Sequence, residues 1–221
     1  MEAQDRSTIE KSKDGYQPEM LLSVQQRAWE ALAAIKSRIV PGMREEDAYH
    51  MANQVLDELG AERKWHRCYV RFGVNTILKY GLPSQPNVIL GENDIYFLDL
   101  GPVWNGYEGD VGDTIATGND PDMIRCAQDA RRIFAIVRDH WKKERPTGEA
   151  LYAFARQTAE SMGWQLVPST GHRLSDFPHA IYFRGHMGDV DFTPAPEKWV
   201  LEIHLRHPER SFGAFYEDLL Q

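Results

Sequence analysis

Apolar residues recur at three- and four-residue spacing from Pro18 to Ile39, at Leu21, Val24, Ala28, Leu32 and Ile35, which predicts an amphipathic helix ended by Pro41-Gly42. A second helix is predicted from Arg44 to Leu59. Glu45 and Glu46 fall in its first turn, Ala48, Met51, Val55 and Leu59 form its apolar stripe, and Gly60 follows as a cap. The pattern then changes: Cys68 to Phe72 reads as a strand, Pro83 to Pro86 as a loop, and Asp94 to Thr117 as two strands joined at Asn105-Gly106. Helical spacing returns beyond Asn119 or Asp120, either of which can cap a helix with Pro121 in its first turn and Ile124, Ala127, Ile133, Ile136 and Val137 along it to about Trp141. Thr147 to Met162 is a further helix stopped at Gly163, and Lys198 to Leu205 and Phe212 to Leu219 are strands. Residues 1–17 are polar and aperiodic, which reads as a flexible arm, or one that orders only against a neighbour, ahead of a single domain at 18–221. Helices, strands, helices, strands in that order predict an α+β domain with helices covering an antiparallel sheet.

The hairpin carries the first chemistry. An Asn-Gly pair between apolar runs favours a two-residue type I′ turn, and that register sets 104 opposite 107, 101 opposite 110 and 99 opposite 112. Asp99 and Asp110 then share one face with 101 and 112, flanked by Phe97, Leu98, Leu100 and Val111. Two carboxylates at diagonal sheet positions, about 7–8 Å apart or less, repel when partly dry, and a divalent cation removes the conflict. The alternative is an ordinary polar sheet face turned to solvent.

Composition narrows the field. At 221 residues and 42% hydrophobic, the chain can bury a substantial core. A net charge of −8 and no basic stripe exclude a general binder of the nucleic-acid backbone. Cys68 and Cys126 lack Cys-x-x-Cys spacing, which suggests two core thiols in a reducing compartment. With no apolar run of about 18 residues and no apolar centre near Met1, neither a membrane span nor a signal peptide is expected, and the chain reads as cytoplasmic. No glycine-rich phosphate loop occurs.

Three further candidate ligands lie in the C-terminal half: His172 in Ser-Thr-Gly-His-Arg, Glu202 in Val-Leu-Glu-Ile, and Glu217 in Gly-Ala-Phe-Tyr-Glu-Asp-Leu. Singly, each has an ordinary structural explanation, a loop histidine or a solvent-facing strand Glu. Their order is more specific. Asp99, Asp110 eleven residues later, Gly171-His172, Glu202 on a strand and Glu217-Asp218 near the end resemble the metallopeptidase superfamily of methionine aminopeptidase, prolidase, aminopeptidase P and creatinase. The short interval from Glu202 to Glu217 is nearer the prolidase and aminopeptidase P branch.

The resemblance implies the pita-bread fold, a curved antiparallel sheet with helices on its outer face and the metal site on its inner face, here as the catalytic domain only. It implies two divalent ions (Mn, Co, Fe or Zn), with Asp99 on one, Asp110 and Glu217 bridging both, and His172 and Glu202 completing the second. Glu202 would also be general base, and His179, seven residues after His172, would donate a hydrogen bond to the tetrahedral intermediate. The implied activity is removal of an N-terminal residue from short peptides, X-Pro peptides first. The alternatives are a creatinase-like C–N hydrolase of a small metabolite and a non-catalytic peptide- or protein-binding module. A homodimer is compatible with a bare catalytic domain.

The chain also departs from the family. Where a histidine usually stands ahead of the first Asp, it has Lys79 or Tyr80; after the metal-binding His come Arg173, Leu174, Ser175 and Asp176, expected to bring bulk and charge to the pocket rim; and Glu202-Ile203 is followed by His204. Lys79, Tyr80, His66, Arg173 and His204 are therefore the expected substrate contacts, with Trp65 and Arg71 as further candidates for the pocket wall.

Overall fold

The computed structural model describes residues 5–168 and 171–221, so the first four residues of the expected arm, and Ser169-Thr170 ahead of His172, lie outside the described residues. The helices are α1 (Arg6–Ile9), α2 (Pro18–Lys36), α3 (Glu45–Glu58), α4 (Pro121–Glu144) and α5 (Gly148–Ser161). The strands are β1 (Arg63–Lys64), β2 (Tyr69–Phe72), β3 (Ile95–Leu100), β4 (Pro102–Trp104), β5 (Tyr107–Glu108), β6 (Val111–Ala116), β7 (Gln165–Leu166), β8 (His172–Arg173), β9 (Trp199–Arg206) and β10 (Gly213–Leu219). Asp120, rather than Asn119, caps α4 by accepting the Asp122 and Met123 N–H groups at 3.0 and 3.1 Å, with Pro121 at the first helical position where a missing N–H costs nothing. Thr147 caps α5 in the same way through Ala150.

The main sheet runs β2-β3-β6-β10-β9-β7 with β8 also on β9, and every recorded pair is antiparallel. A smaller sheet, β1-β4-β5, carries the hairpin tip. The expected register holds through both: Leu100 opposes Val111, Asp99 opposes Gly112, and Trp104 opposes Tyr107. Asn105 and Gly106 both have positive φ, 51° and 71°, as a type I′ turn requires. The short strands β1, β7 and β8 carry no period of their own and pair only because longer strands present an edge to them.

Alternation divides the sheet. On one face Tyr96, Leu98 and Leu100 join α2 and α3 in one core, and Leu201, Ile203, Leu205 and Ala214 join α4 and α5 in another. On the other face Phe97, Asp99, Glu202, His204, Phe215 and Glu217 line a cavity of about 600 Å³. Residues 5–17 lie against the body: Ile9 is buried in the α4/α5 core, Glu10 accepts the Trp199 indole N–H at 2.8 Å, and the Lys11 carbonyl accepts from Arg173 at 2.9 Å.

Candidate metal centre

The ladder aligns the acids. Tyr69, Asp99, Gly112, Glu217 and Glu202 are successive cross-strand partners over β2, β3, β6, β10 and β9. Three carboxylates thus fall in one row, and the middle position has no side chain. A Cβ on Gly112 would stand 2.5 Å from the Phe215 ring and 2.9 Å from Glu217 Oε1, so glycine leaves the space into which Glu217 projects. Asp110, at the foot of β6, enters from the side. Gln25 of α2 fixes its backbone: Oε1 accepts the Asp110 N–H at 3.0 Å, and Nε2 donates to the Asp110 carbonyl at 2.6 Å and to Asp218 Oδ1 at 2.8 Å.

The structure therefore brings Asp99, Asp110, His172, Glu202 and Glu217 to one cavity. His172 Nε2 lies 2.7 Å from Asp110 Oδ2 and 3.6 Å from Glu202 Oε1. Its Nδ1 donates to the Arg173 carbonyl at 2.7 Å, which fixes the tautomer and turns the Nε2 lone pair toward the acids. Tyr152 brackets Glu202 through both backbone groups, its hydroxyl donating to the carbonyl at 3.2 Å and accepting the N–H at 3.1 Å. Among the described residues, Asp110 Oδ2 and Glu217 Oε1 are buried without a hydrogen-bond partner of proper geometry, despite the close approach of His172 to the former. Buried polar oxygens are almost always satisfied, so two orphans aimed into one acidic cluster fit a cation.

The metal-free electrostatics tell the same story. Burial pushes Asp99 up to about 7, against the pull of His66 and with the push of Asp110 and Glu202. Burial, then Asp110, Asp99 and Glu202, raise Glu217 well above the carboxylate range. Asp110 goes the other way: burial opposes ionisation, but the His172 imidazole 2.7 Å from Oδ2 and the His66 hydrogen bond to Oδ1 outweigh it and hold the carboxyl low. Burial also opposes charge on His66 and His172, yet the neighbouring aspartates lift both imidazoles to about 9. A cation held among these groups would displace the protons that the raised acids and imidazoles otherwise retain.

The other expected contacts divide. His179 lines the cavity, stacked on His172 at 5.5 Å, with Nδ1 2.8 Å from Glu108 Oε2 and its backbone N–H on Glu108 Oε1. Lys79 and Tyr80 also line it, on a turn held by Arg71, whose buried guanidinium donates to the carbonyls of Leu78, Lys79 and Leu82. His204 is on the wall, but its Nε2 donates to the Thr76 carbonyl at 2.7 Å and burial lowers it to about 4, so it is a neutral ring. Arg173 is not at the rim. On β8 it points away from His172, is fully buried, and donates to the Lys198 and Lys11 carbonyls; strand alternation sends the ligand candidate inward and its neighbour to the opposite side. His66 lies deeper than a substrate contact would, with Nε2 3.2 Å from Asp110 Oδ1 and 3.4 Å from Asp99 Oδ1.

Three residues that matter here had no sequence expectation. Glu108 belongs to the same alternation as Asp110 and Gly112, which was the available signal. Gln25 is a polar residue beside the apolar stripe of α2. Arg184, also on the cavity wall, gave none.

The model for metallopeptidase family M24 matches residues 19–220. An Xaa-Pro dipeptidase from Pyrococcus furiosus is 25% identical over 150 residues, 64% of this chain and 41% of that protein. The prolidase from Pyrococcus horikoshii superposes with TM-score 0.75 at 17% identity, covering 97% of this chain and 61% of that one. The X-Pro aminopeptidase from Thermotoga maritima gives 0.70 at 18% identity, covering 97% and 58%. The chain thus spans about two fifths of the length of the curated relative and about three fifths of these solved structures. The expected pita-bread fold is the one found, and the match over almost the whole described chain places this protein in metallopeptidase family M24.

Proposed function

We propose that the chain is a dinuclear-metal hydrolase that removes the N-terminal residue from short peptides, with Xaa-Pro dipeptides and tripeptides as first substrates. The observation that carries this reading is the carboxylate row, with Asp110 Oδ2 and Glu217 Oε1 buried beside His172 in one cavity. Asp99, Asp110, His172, Glu202 and Glu217 would hold the ions, for which their oxygen-rich set with one imidazole suits Mn²⁺, Co²⁺, Fe²⁺ or Zn²⁺. Bound there, the ions supply a nucleophilic water at neutral pH and polarise the scissile carbonyl.

The remaining work falls to side chains. Glu202 takes the proton of the attacking water and delivers it to the leaving amine, its position fixed by Tyr152. His179, held by Glu108, steadies the developing oxyanion. Lys79 and Arg184 on the cavity wall offer positive charge to the free carboxylate of a short peptide, which favours dipeptides over long chains. Buried free thiols at Cys68 and Cys126 suit a cytoplasmic protein.

A second reading keeps the site and changes the substrate to a small metabolite with a C–N bond. It rests on Lys79 and Tyr80 lining the cavity where the family resemblance expects a histidine. Hydrolysis of an Xaa-Pro panel by the Mn²⁺- or Co²⁺-loaded chain, abolished by chelator, supports the peptidase. Turnover of N-acyl or amidino compounds with none on peptides favours the second reading.

A further inference from the structure

His66 is placed as a ligand would be. Its Nδ1 donates to the Arg67 carbonyl at 2.8 Å, so the neutral ring carries its lone pair on Nε2, which faces Asp99 and Asp110. His172 is arranged in the same way, with Nδ1 on the Arg173 carbonyl. Trp65 packs edge-on against both rings, at 4.3 Å from His66 and 4.9 Å from His172. The pocket for the His66 ring exists because position 101 is glycine: a Cβ there would overlap the imidazole.

Spacing adds a second argument. Two donor atoms each about 2.1 Å from one cation lie about 3.0–3.4 Å apart in octahedral or tetrahedral arrangement. His66 Nε2 is 3.2 Å from Asp110 Oδ1 and 3.4 Å from Asp99 Oδ1. Two compact donor groups result, His66 with Asp99 and Asp110, and His172 with Asp110 and Glu217, and Asp110 belongs to both. Its second oxygen, Oδ2, lies 2.7 Å from His172 Nε2.

We infer that His66 is a sixth protein ligand, giving the ion at Asp99 an imidazole of its own so that each metal has one histidine and Asp110 lies between them. This rests on the dinuclear reading above and extends it. A second nitrogen donor softens the Asp99 site and shifts its preference from Mn²⁺ toward Co²⁺ or Zn²⁺. The competing account makes His66 only a counter-ion for the acids; its removal would then leave metal affinity unchanged or improve it.

The test is a Co²⁺ titration of the full chain and of His66→Phe, His66→Gln and Asp110→Ala, read by visible absorption and by the imidazole signal in X-ray absorption. A ligand role predicts that both His66 variants bind one of the two ions at least tenfold more weakly and lose one imidazole from the coordination shell. His66→Gln keeps a polar side chain of similar reach should His66→Phe not fold. Unchanged affinity and imidazole count in both variants, with binding lost in Asp110→Ala, would overturn the His66 role and leave the metal centre standing. No Co²⁺ on the unmodified chain would overturn both.

Discussion

Gln25 holds Asp110 by both backbone groups, accepting its N–H at 3.0 Å and donating to its carbonyl at 2.6 Å, although 85 residues separate them. The same amide reaches Asp218, the neighbour of Glu217, so one side chain on α2 ties together the strands that carry two of the proposed ligands. Gln25→Leu strands a buried N–H and a buried carbonyl, at a cost of about 1–3 kcal/mol each. It is expected to lower the melting temperature by several degrees and weaken metal binding, which thermal melts with and without Mn²⁺ measure together. An unchanged melting temperature would show that the clamp contributes nothing.

Gly112→Ala tests the empty place in the carboxylate row. The added methyl meets Phe215 and Glu217 Oε1, so the Phe215 ring and Glu217 must both give way, with an overpacking cost of about 1–3 kcal/mol and an expected loss of one ion. Gly106→Ala is the control: its φ of 71° makes alanine strained there, but nothing lies near its Cβ. The control is expected to lose stability while keeping its metal, as elemental analysis of both variants will reveal.

The metal-free chain has a definite pH signature. Asp99 goes from 3.8 to about 7 on folding, so the folded state binds a proton the unfolded state has released, and that stabilisation disappears as pH climbs through 7. His66 and His172, raised from 6.5 to about 9, contribute stability that is complete below 6.5 and gone above 9. Asp110, held low, contributes in the opposite sense, losing its share only as pH falls into the acid range. With chelator present the melting temperature should therefore drop between pH 6 and pH 9.5, and the gain from added Mn²⁺ should widen over the same interval. A flat profile would contradict the assigned protonation of the cluster.

Arg71 is buried at 1% exposure and spends its guanidinium on three carbonyls of the turn that presents Lys79 and Tyr80. Arg71→Met frees that turn. KM for a dipeptide is expected to rise about tenfold, equivalent to ~1.4 kcal/mol of binding, with metal content intact. Loss of metal instead would mean that Arg71 supports the centre rather than the rim.

Much of this architecture is legible along the chain, and what is not has a physical reason. The Asn105-Gly106 turn fixes the register of its own strands, so Asp99 opposite Gly112 follows from local chemistry alone. The amphipathic helices announce themselves by their stripes and caps. His66 meets Asp110 across 44 residues and only because Gly101 clears the space; no pattern within either segment encodes that meeting. Arg173 reads as a rim charge in sequence because the two-residue strand that turns it away is created by its partner β9, not by its own residues. Glu108 was within reach, since it shares the alternation of Asp110.

The most direct measurement is the metal content of the full chain after loading with Mn²⁺ or Co²⁺ near pH 8 and desalting, beside Asp110→Ala and Glu217→Ala. The account predicts about two ions per chain, lost from both variants, as a pair of ions sharing carboxylates demands. A chain that folds normally and retains no ion would contradict it.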